Sequence, residues 1–219
     1  MRVGFIGLGN VGGKLSGSLL RNGSELAVHD LNPELVARFV ERGAIAGGSA
    51  AQLMQSCDVV ITCLPSPAAS AAVMDEMLPQ VTAGKIWLEM STTDEAEVKR
   101  LGAAVIAAGG AAVDCPVSGG CHRADTGNIS IFAGCERDTF ERILPLLTKM
   151  GRRILHTGEL GSASVLKVIT NFMATANLVS CAEALTVAKA AGMNLNVAYE
   201  ALKISSGTSF VHETESQVI

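Results

Sequence analysis

Aromatic and charged residues are both scarce in this sequence. Aromatic side chains make up 4% of its 219 residues, charged side chains 17%, and the formal net charge is −4. A small negative charge offers no electrostatic surface for nucleic acid or an anionic membrane, so neither is expected as a partner. The hydrophobic fraction of 48% excludes a disordered chain and indicates a folded α/β protein.

Patterns for metal binding, export and membrane insertion are missing as well. The six cysteines never form CxxC and the histidines number four, so we predict no metal site. Met1 and Arg2 lead directly into an apolar strand, which leaves no room for a leader peptide. The most apolar run, residues 161–182, is interrupted by polar residues and predicts no membrane span. We therefore expect a cytoplasmic protein with reduced cysteines.

A glycine-rich turn follows the first apolar segment, residues 3–6. The turn reads Gly7-Leu8-Gly9-Asn10-Val11-Gly12 and precedes an amphipathic helix, which is the strand–turn–helix context of a dinucleotide site. The next strand ends on Asp30, where a carboxylate accepts hydrogen bonds from ribose hydroxyls. Because Leu31 rather than an arginine follows, the pattern favours NAD over NADP. The alternative is that Asp30 only precedes the helix that Asn32 and Pro33 begin.

Strands and helices then alternate up to about residue 158. Such alternation predicts a doubly wound, mostly parallel sheet over residues 1–160, with ligands bound beyond the carboxyl ends of the strands. Thr92 and Glu95 have the spacing of a capping box at the start of one helix. The segments expected to meet at the carboxyl edge are Gly7, Asp30, Leu64-Pro65, Ser91-Thr92 and residues 116–120.

From residue 161 to 219 the pattern is all-helical, which predicts a second domain. Its first helix, residues 161–191, is apolar almost all round, so we expect it to be buried on most sides and to promote homo-oligomerisation. Lys167 lies within this helix, with Asn171 one turn further on the same face. Lys167 is either a lysine that extends from the helix edge to solvent or a proton-transfer group with a lowered pKa.

Five motifs in order resemble those of the β-hydroxyacid dehydrogenases, a family that includes 3-hydroxyisobutyrate dehydrogenase. They are GFIGLGNVG at 4–12, DVVITCLPSP at 58–67, EMSTT at 89–93, DCPVSGG at 114–120 and GSASVLKVITN at 161–171. The resemblance implies a Rossmann-type domain, an all-helical domain that is incomplete in this chain, and NAD-dependent interconversion of a small 3-hydroxy acid with its semialdehyde or keto acid. It also implies that further helices follow Ile219.

The resemblance assigns roles to individual residues. The residues implied to bind NAD are Gly7, Leu8, Gly9, Asn10, Val11, Gly12, Asp30, Leu64, Pro65 and Thr92. Those implied to hold a small carboxylate substrate are Ser118, Gly119, Gly120 and Asn171, and Lys167 is the implied catalytic residue. A lysine that is partly removed from water is neutral often enough to accept the hydroxyl proton.

Departures from the family pattern leave the substrate open. His122 and Arg123 replace a common Gly-Ala pair, and Arg123 is either a solvated loop residue or a partner for a second anionic group. Ala69, Ala163 and Thr170 also replace residues common in the family. Three alternatives are kept: a related decarboxylating dehydrogenase, an imine reductase, which usually lacks the lysine, and an NAD-binding module without activity.

Overall fold

The computed structural model describes residues 1–216, and residues 217–219 at the end of the sequence lie outside the described part. The chain divides into two compact units, Met1–Lys167 and Val168–Ile219. The division falls seven residues beyond the predicted start of the helical domain. The reason is that the first turns of the long helix lie in the N-terminal unit, where Ala163 and Ser164 are buried.

One sheet organises the N-terminal unit. Its strands are β1 (Val3–Ile6), β2 (Leu26–His29), β3 (Ile45–Ala46), β4 (Val59–Thr62), β5 (Ile86–Glu89), β6 (Ala111–Asp114), β7 (Val117–Ser118), β8 (Ile129–Gly134) and β9 (Gly151–Gly158). The order is β3-β2-β1-β4-β5-β6-β8-β7, with β9 beside β8. Pairing is parallel from β3 through β6, whereas β8 runs antiparallel to β6 and β7. The predicted doubly wound, mostly parallel sheet is confirmed.

Helices connect the strands, and several of them begin at a side-chain cap. They are α1 (Gly12–Arg21), α2 (Pro33–Val40), α3 (Ala50–Ser56), α4 (Pro67–Met77), α5 (Glu95–Ala107), α6 (Gly120–Asp125) and α7 (Arg137–Leu147), with a 3₁₀ turn at Leu78–Gln80. The side chains of Asn32, Ser49 and Ser66 accept hydrogen bonds from the first turns of α2, α3 and α4. The predicted capping box at Thr92 is wrong, because Asp94 caps α5 by accepting from the Glu97 N–H.

The core lies on both faces of the sheet, because neighbouring strand residues point to opposite sides. Phe5 packs in one cluster and Ile6 in the other, and Leu88 and Trp87 divide in the same way. Trp87 is 1% exposed, and its indole N–H donates to the Thr62 hydroxyl at 2.9 Å. Strands buried on both faces place their polar ends at the carboxyl edge of the sheet.

The long helix α8 (Ser162–Ala190) is far more exposed than the sequence pattern predicts. Phe172 and Val187 are each 68% exposed, and Val168 is 55% exposed. The expectation of burial on most sides is therefore wrong for residues 1–216, since the described elements do not cover this apolar surface. By length and composition α8 also meets the criterion for a membrane span, which differs from the sequence expectation. Helices in the cores of soluble proteins meet that criterion too.

In the C-terminal unit, α8 is followed by α9 (Leu195–Ile204) and α10 (Phe210–Glu215). The buried ring of His212 joins the last two helices. Its Nε2 lies 3.0 Å from the Tyr199 carbonyl oxygen, its Nδ1 lies 3.0 Å from the Ser216 hydroxyl, and it stacks against the Tyr199 ring. Both nitrogens have partners, so this histidine serves the packing of α9 and α10.

Candidate functional site

A cavity of about 900 Å³ opens at the carboxyl ends of β1, β2, β4 and β5, within the N-terminal unit. Cavities of this size at the carboxyl edge of a parallel sheet are typical of cofactor sites. Residues predicted to bind cofactor or substrate that line it are Gly7, Gly9, Asn10, Val11, Gly12, Asp30, Leu64, Pro65, Thr92, Gly120 and Lys167. The structure thus brings most of the predicted site together.

The glycine turn approaches its neighbours too closely for side chains. A Cβ on Gly7 would lie 2.3 Å from the Cys63 carbonyl oxygen, and one on Gly12 would lie 2.0 Å from the Gly7 carbonyl oxygen. Gly9 is different, since a Cβ there would meet nothing within 4 Å. Among residues 1–216, no side chain caps the start of α1. Gly9 therefore leaves open space beside uncapped N–H groups, which is the arrangement that a pyrophosphate requires.

Asp30 holds the glycine turn as well as facing the cavity. Its Oδ2 accepts a hydrogen bond from the Leu8 N–H at 2.6 Å, and its Oδ1 accepts from the Asn32 N–H at 2.8 Å. Leu8 is buried and does not line the cavity, so its role there is through this backbone contact. Each carboxylate oxygen keeps a second lone pair for a ligand hydroxyl.

The loops after β4 and β5 are joined by a polar chain beneath the cavity. The Leu64 N–H donates to the Ser91 hydroxyl at 2.7 Å, and the Ser91 N–H donates to Oε1 of Glu89 at 2.8 Å. Glu89 is fully buried, and its Oε2 has no hydrogen-bond partner among the described residues. Burial raises the pKa of the Glu89 carboxyl, although hydrogen bonds from Ser91 oppose this shift.

Lys167 lies half-buried in the wall of the cavity, on the second turn of α8. Desolvation lowers the pKa of its amine. This environment is what a proton-transfer lysine needs, because more of the neutral amine is present than on a solvated side chain. The amine is thus partly removed from water at the cavity wall, which is the position that the proton-transfer interpretation expects.

The remaining predicted residues lie elsewhere. Ser118 and Gly119 are half-buried and do not line the cavity, although they adjoin Gly120, which does. Asn171 is exposed and belongs to the C-terminal unit. Arg123 lies against the turn Ser118-Gly119-Gly120, which we call the SGG turn. Its Cδ lies 3.0 Å from the position that a Cβ on Gly119 would occupy.

Sequence reasoning missed the apolar lining, which includes Cys63, Met90, Val117, Cys121 and Ile129. Their positions at or just beyond strand ends were the available signal. It also gave no role to two buried carboxyls at strand ends, Glu89 and Asp114. Each ends a strand at the same edge of the sheet, which is where ligand sites form.

Two family models match the chain. Residues 2–158 match the NAD binding domain of 6-phosphogluconate dehydrogenase. Residues 161–219, which include all of α8, match the model described as NAD-binding of NADP-dependent 3-hydroxyisobutyrate dehydrogenase. Together with the open glycine turn and the cavity, these matches identify a site for NAD(P).

Curated relatives agree with these models. The chain is 34% identical over 208 residues to 3-hydroxyisobutyrate dehydrogenase of Pseudomonas aeruginosa, covering 94% of this chain and 70% of the relative. It is 34% identical over 215 residues to the NAD-dependent L-serine dehydrogenase of the same organism, which covers 97% of this chain and 72% of the relative. Identity to the mitochondrial 3-hydroxyisobutyrate dehydrogenase of Rattus norvegicus is 31% over 219 residues, covering 99% and 65%. The chain thus spans about two thirds of the length of these relatives.

Solved structures share the fold. Mycobacterium tuberculosis 3-hydroxyisobutyrate dehydrogenase with L-serine superposes with a TM-score of 0.92 at 25% identity, covering 100% of this chain and 76% of that one. An imine reductase from Myxococcus stipitatus in complex with NAD+ has a TM-score of 0.85 at 18% identity, covering 93% and 71%. At that identity the second match shows the architecture alone.

Proposed function

Because this chain belongs to the β-hydroxyacid dehydrogenase family, we propose that it is an NAD-dependent oxidoreductase that interconverts a small 3-hydroxy acid with its semialdehyde or keto acid. The observation that carries the proposal is the shared cavity. One space is lined by the glycine turn, by Asp30 and by the half-buried Lys167. A dinucleotide site and a group for proton transfer therefore face each other within one unit.

The proposed cofactor residues fit NAD by their chemistry. The start of α1 has no side-chain cap and lies just after Gly9, beside which there is open space, and this arrangement suits a pyrophosphate. The Asp30 carboxylate suits ribose hydroxyls, and it repels a 2′-phosphate. Leu31, which is 97% exposed, provides no cation for such a phosphate. Leu64, Pro65 and Thr92 line the opposite loops of the cavity and complete the proposed set.

Lys167 is the proposed proton-transfer group. When bound, NAD accepts a hydride from the substrate carbon. The neutral amine of Lys167 accepts the proton of the substrate hydroxyl in oxidation, and its ammonium form donates a proton to the developing alkoxide in reduction. The lowered pKa of this amine increases the neutral fraction that oxidation requires.

The substrate is proposed to be a small carboxylate held by Ser118, Gly119 and Gly120 of the N-terminal unit. The substrate role of Asn171, which belongs to the C-terminal unit, stays a prediction from the sequence. Gly120 lines the same cavity as Lys167, which supports a carboxylate near that turn. The relatives named above act on 3-hydroxyisobutyrate and on L-serine, both of which carry a hydroxyl on the third carbon and a carboxylate. We extend that chemical class, rather than either compound, to this chain.

The decisive experiment is an assay of NADH formation with a panel of 3-hydroxy acids, run beside calorimetric titration of NAD. Turnover with one of them, abolished by Lys167→Met and retained by Lys189→Met on an exposed part of the same helix, supports the proposal. Tight NAD binding without turnover on any compound favours the NAD-binding module. Turnover of cyclic imines with retention of activity in Lys167→Met favours an imine reductase.

We also propose that the protein self-associates in the cytoplasm. Support comes from the apolar side chains exposed on α8, including Ile169, Phe172 and Val179. All six cysteines are free, which agrees with a reducing compartment. Sedimentation velocity over a range of concentrations tests the association, because a monomer at every concentration contradicts it.

A further inference from the structure

Asp114 is a fully buried carboxyl to which the proposed reaction gives no part. It ends β6 and is 0% exposed. Its Oδ2 accepts from the Ser164 N–H at 2.6 Å, and its Oδ1 accepts from the Ser164 hydroxyl at 2.8 Å. Backbone N–H groups of Ala163 and Gly161 also face this carboxyl. Two hydrogen bonds from Ser164 to a buried carboxyl therefore hold the first turn of α8 against the end of β6.

The start of α8 lies close to two further strands, β8 and β9. A Cβ on Gly134, the last residue of β8, would lie 2.7 Å from the Glu159 carbonyl oxygen and 2.8 Å from the Ser162 hydroxyl. The Ser162 hydroxyl lies 2.7 Å from that of Thr157 in β9. Three strand ends therefore meet the start of the helix, and Asp114 supplies the strongest hydrogen bonds among them because a carboxyl accepts them.

Lys167 follows Ser164 by three residues, which places it on the next turn of the same side of the helix. Asp114 also begins the segment that leads to Gly120. Lys167 and Gly120 both line the cavity described above. The carboxyl therefore lies where the lysine helix and the proposed substrate turn leave the sheet.

We infer that Asp114 is a positioning residue for the reaction: it holds the first turn of α8 so that the Lys167 amine stays in the cavity wall, at a fixed place relative to the SGG turn. This inference rests on the proposed function for its consequence in catalysis. The helix anchoring itself is independent of which substrate the protein uses. A displacement of about 1 Å at a reacting group lowers rates by about a hundredfold, so such anchoring has a kinetic effect.

Titratable groups that interact with Asp114 include the buried thiols of Cys115 and Cys135. Burial raises the pKa of the Asp114 carboxyl, while its hydrogen bonds from Ser164 oppose that shift. Burial likewise raises the pKa of Cys135 to about 12, so this thiol stays neutral near pH 7. Asp114 is proposed to act on Lys167 through the position of the first turn of α8.

The test compares Asp114→Asn and Ser164→Ala with Asp138→Asn, a matched change of an exposed carboxylate in the first turn of α7. The pKa of the Lys167 amine is measured by NMR titration of protein with ¹³C-labelled lysine, with the resonance assigned by its loss in Lys167→Met. Circular dichroism confirms that each variant is folded. We expect Asp114→Asn to raise the pKa of Lys167 toward the ordinary lysine value, because a loosened first turn admits water to the amine.

Ser164→Ala keeps the backbone hydrogen bond to Asp114 and should therefore raise the pKa of the Lys167 amine by a smaller amount. This variant provides the test if Asp114→Asn does not fold. Asp138→Asn should leave it in place. An unchanged or lowered pKa in folded Asp114→Asn overturns the inference, since loss of a charge alone would lower it.

Kinetics give the second readout. We expect the kcat of Asp114→Asn to fall about 10- to 100-fold, with NAD affinity unchanged in calorimetry. A purely structural role would instead lower the melting temperature and leave kcat at its wild-type value. If wild-type protein turns over none of the 3-hydroxy acids, the proposed function fails, while the NMR titration still decides the anchoring role.

Discussion

The backbone N–H of Leu8 donates to the Asp30 carboxylate at 2.6 Å, so the residue proposed to recognise ribose also holds the glycine turn. The two roles are compatible because each carboxylate oxygen accepts more than one hydrogen bond. Asp30 is therefore part of the shape of the site as well as its chemistry. Replacing Asp30 therefore changes both the hydrogen bonds available to ribose and the support of the glycine turn.

Asp30→Ala should weaken NAD binding about 10- to 100-fold, since hydrogen bonds to the carboxylate are lost and the Leu8 N–H is left without its acceptor. NADP binding should weaken less, because the same change removes a repulsive charge. Asp30→Asn retains an acceptor for Leu8 and should preserve thermal stability better than Asp30→Ala. Calorimetric titration of both cofactors measures this, and equal losses for NAD and NADP would contradict the cofactor preference.

Two of the three glycines of the turn, Gly9 and Gly12, should separate an effect on folding from an effect on NAD binding. Gly12→Ala places a Cβ 2.0 Å from a backbone oxygen and should lower the free energy of unfolding by about 1–3 kcal/mol. Gly9→Ala meets nothing in the protein and should leave that free energy nearly unchanged, while NAD affinity falls about tenfold. Urea unfolding and NAD titration of the pair provide the measurement. A destabilised Gly9→Ala would show that this residue serves the fold.

Lys167 should give the two directions of the reaction opposite pH dependence. Its folded-state pKa is lowered, so oxidation should accelerate as the pH rises through that value, while reduction should slow. Lys167→Met should lower kcat by about 100- to 10,000-fold in both directions and remove this dependence. Its stability near pH 7 should not fall, because a partly buried ammonium is replaced by an apolar chain. A pH profile that persists in Lys167→Met would assign the titration to another group.

Glu89 should lower the free energy of unfolding as the pH rises above the ordinary glutamate pKa. Its carboxyl pKa is raised by burial, so the unfolded chain loses this proton first and stability falls as the pH rises above about 4.3, the ordinary glutamate value, to the folded-state pKa. Glu89→Gln removes this loss. The variant should therefore gain stability relative to wild type as the pH rises above about 4.3. Urea unfolding at several pH values measures the difference, and parallel curves would show that Glu89 does not titrate in this range.

Local patterns predicted the sheet and most of the cavity. The positions of Gly7, Gly12 and Asp30 depend on one strand, one turn and one helix that are close together in the sequence. The structure places all three residues in the lining of one cavity. The role of Leu8 was not predictable, because its N–H reaches a carboxylate 22 positions away. The cap of α5 illustrates a local competition, since Thr92 and Asp94 are both good caps and only the backbone path selects Asp94.

The pattern of α8 was informative about composition but not about surroundings. Apolar residues on every side predict that something covers the helix, yet they do not say which part of a protein does so. Ser164 is a comparable case, since a serine in an apolar run gives no sign of the buried aspartate 50 positions earlier that it contacts. Contacts between distant segments were therefore the main part of the site that the sequence left open.

The burial of Trp87 has a practical consequence. It is the single tryptophan of the sequence and lies in the N-terminal unit, whereas the single tyrosine, Tyr199, lies in the C-terminal unit. Excitation at the red edge of the tryptophan band thus reports on the sheet alone. The tyrosine contribution, resolved from the overlapping tryptophan absorbance by derivative spectroscopy, reports on the helices after Lys167. Two chromophores already present in the chain can therefore follow the thermal unfolding of its two units in one sample, without any label.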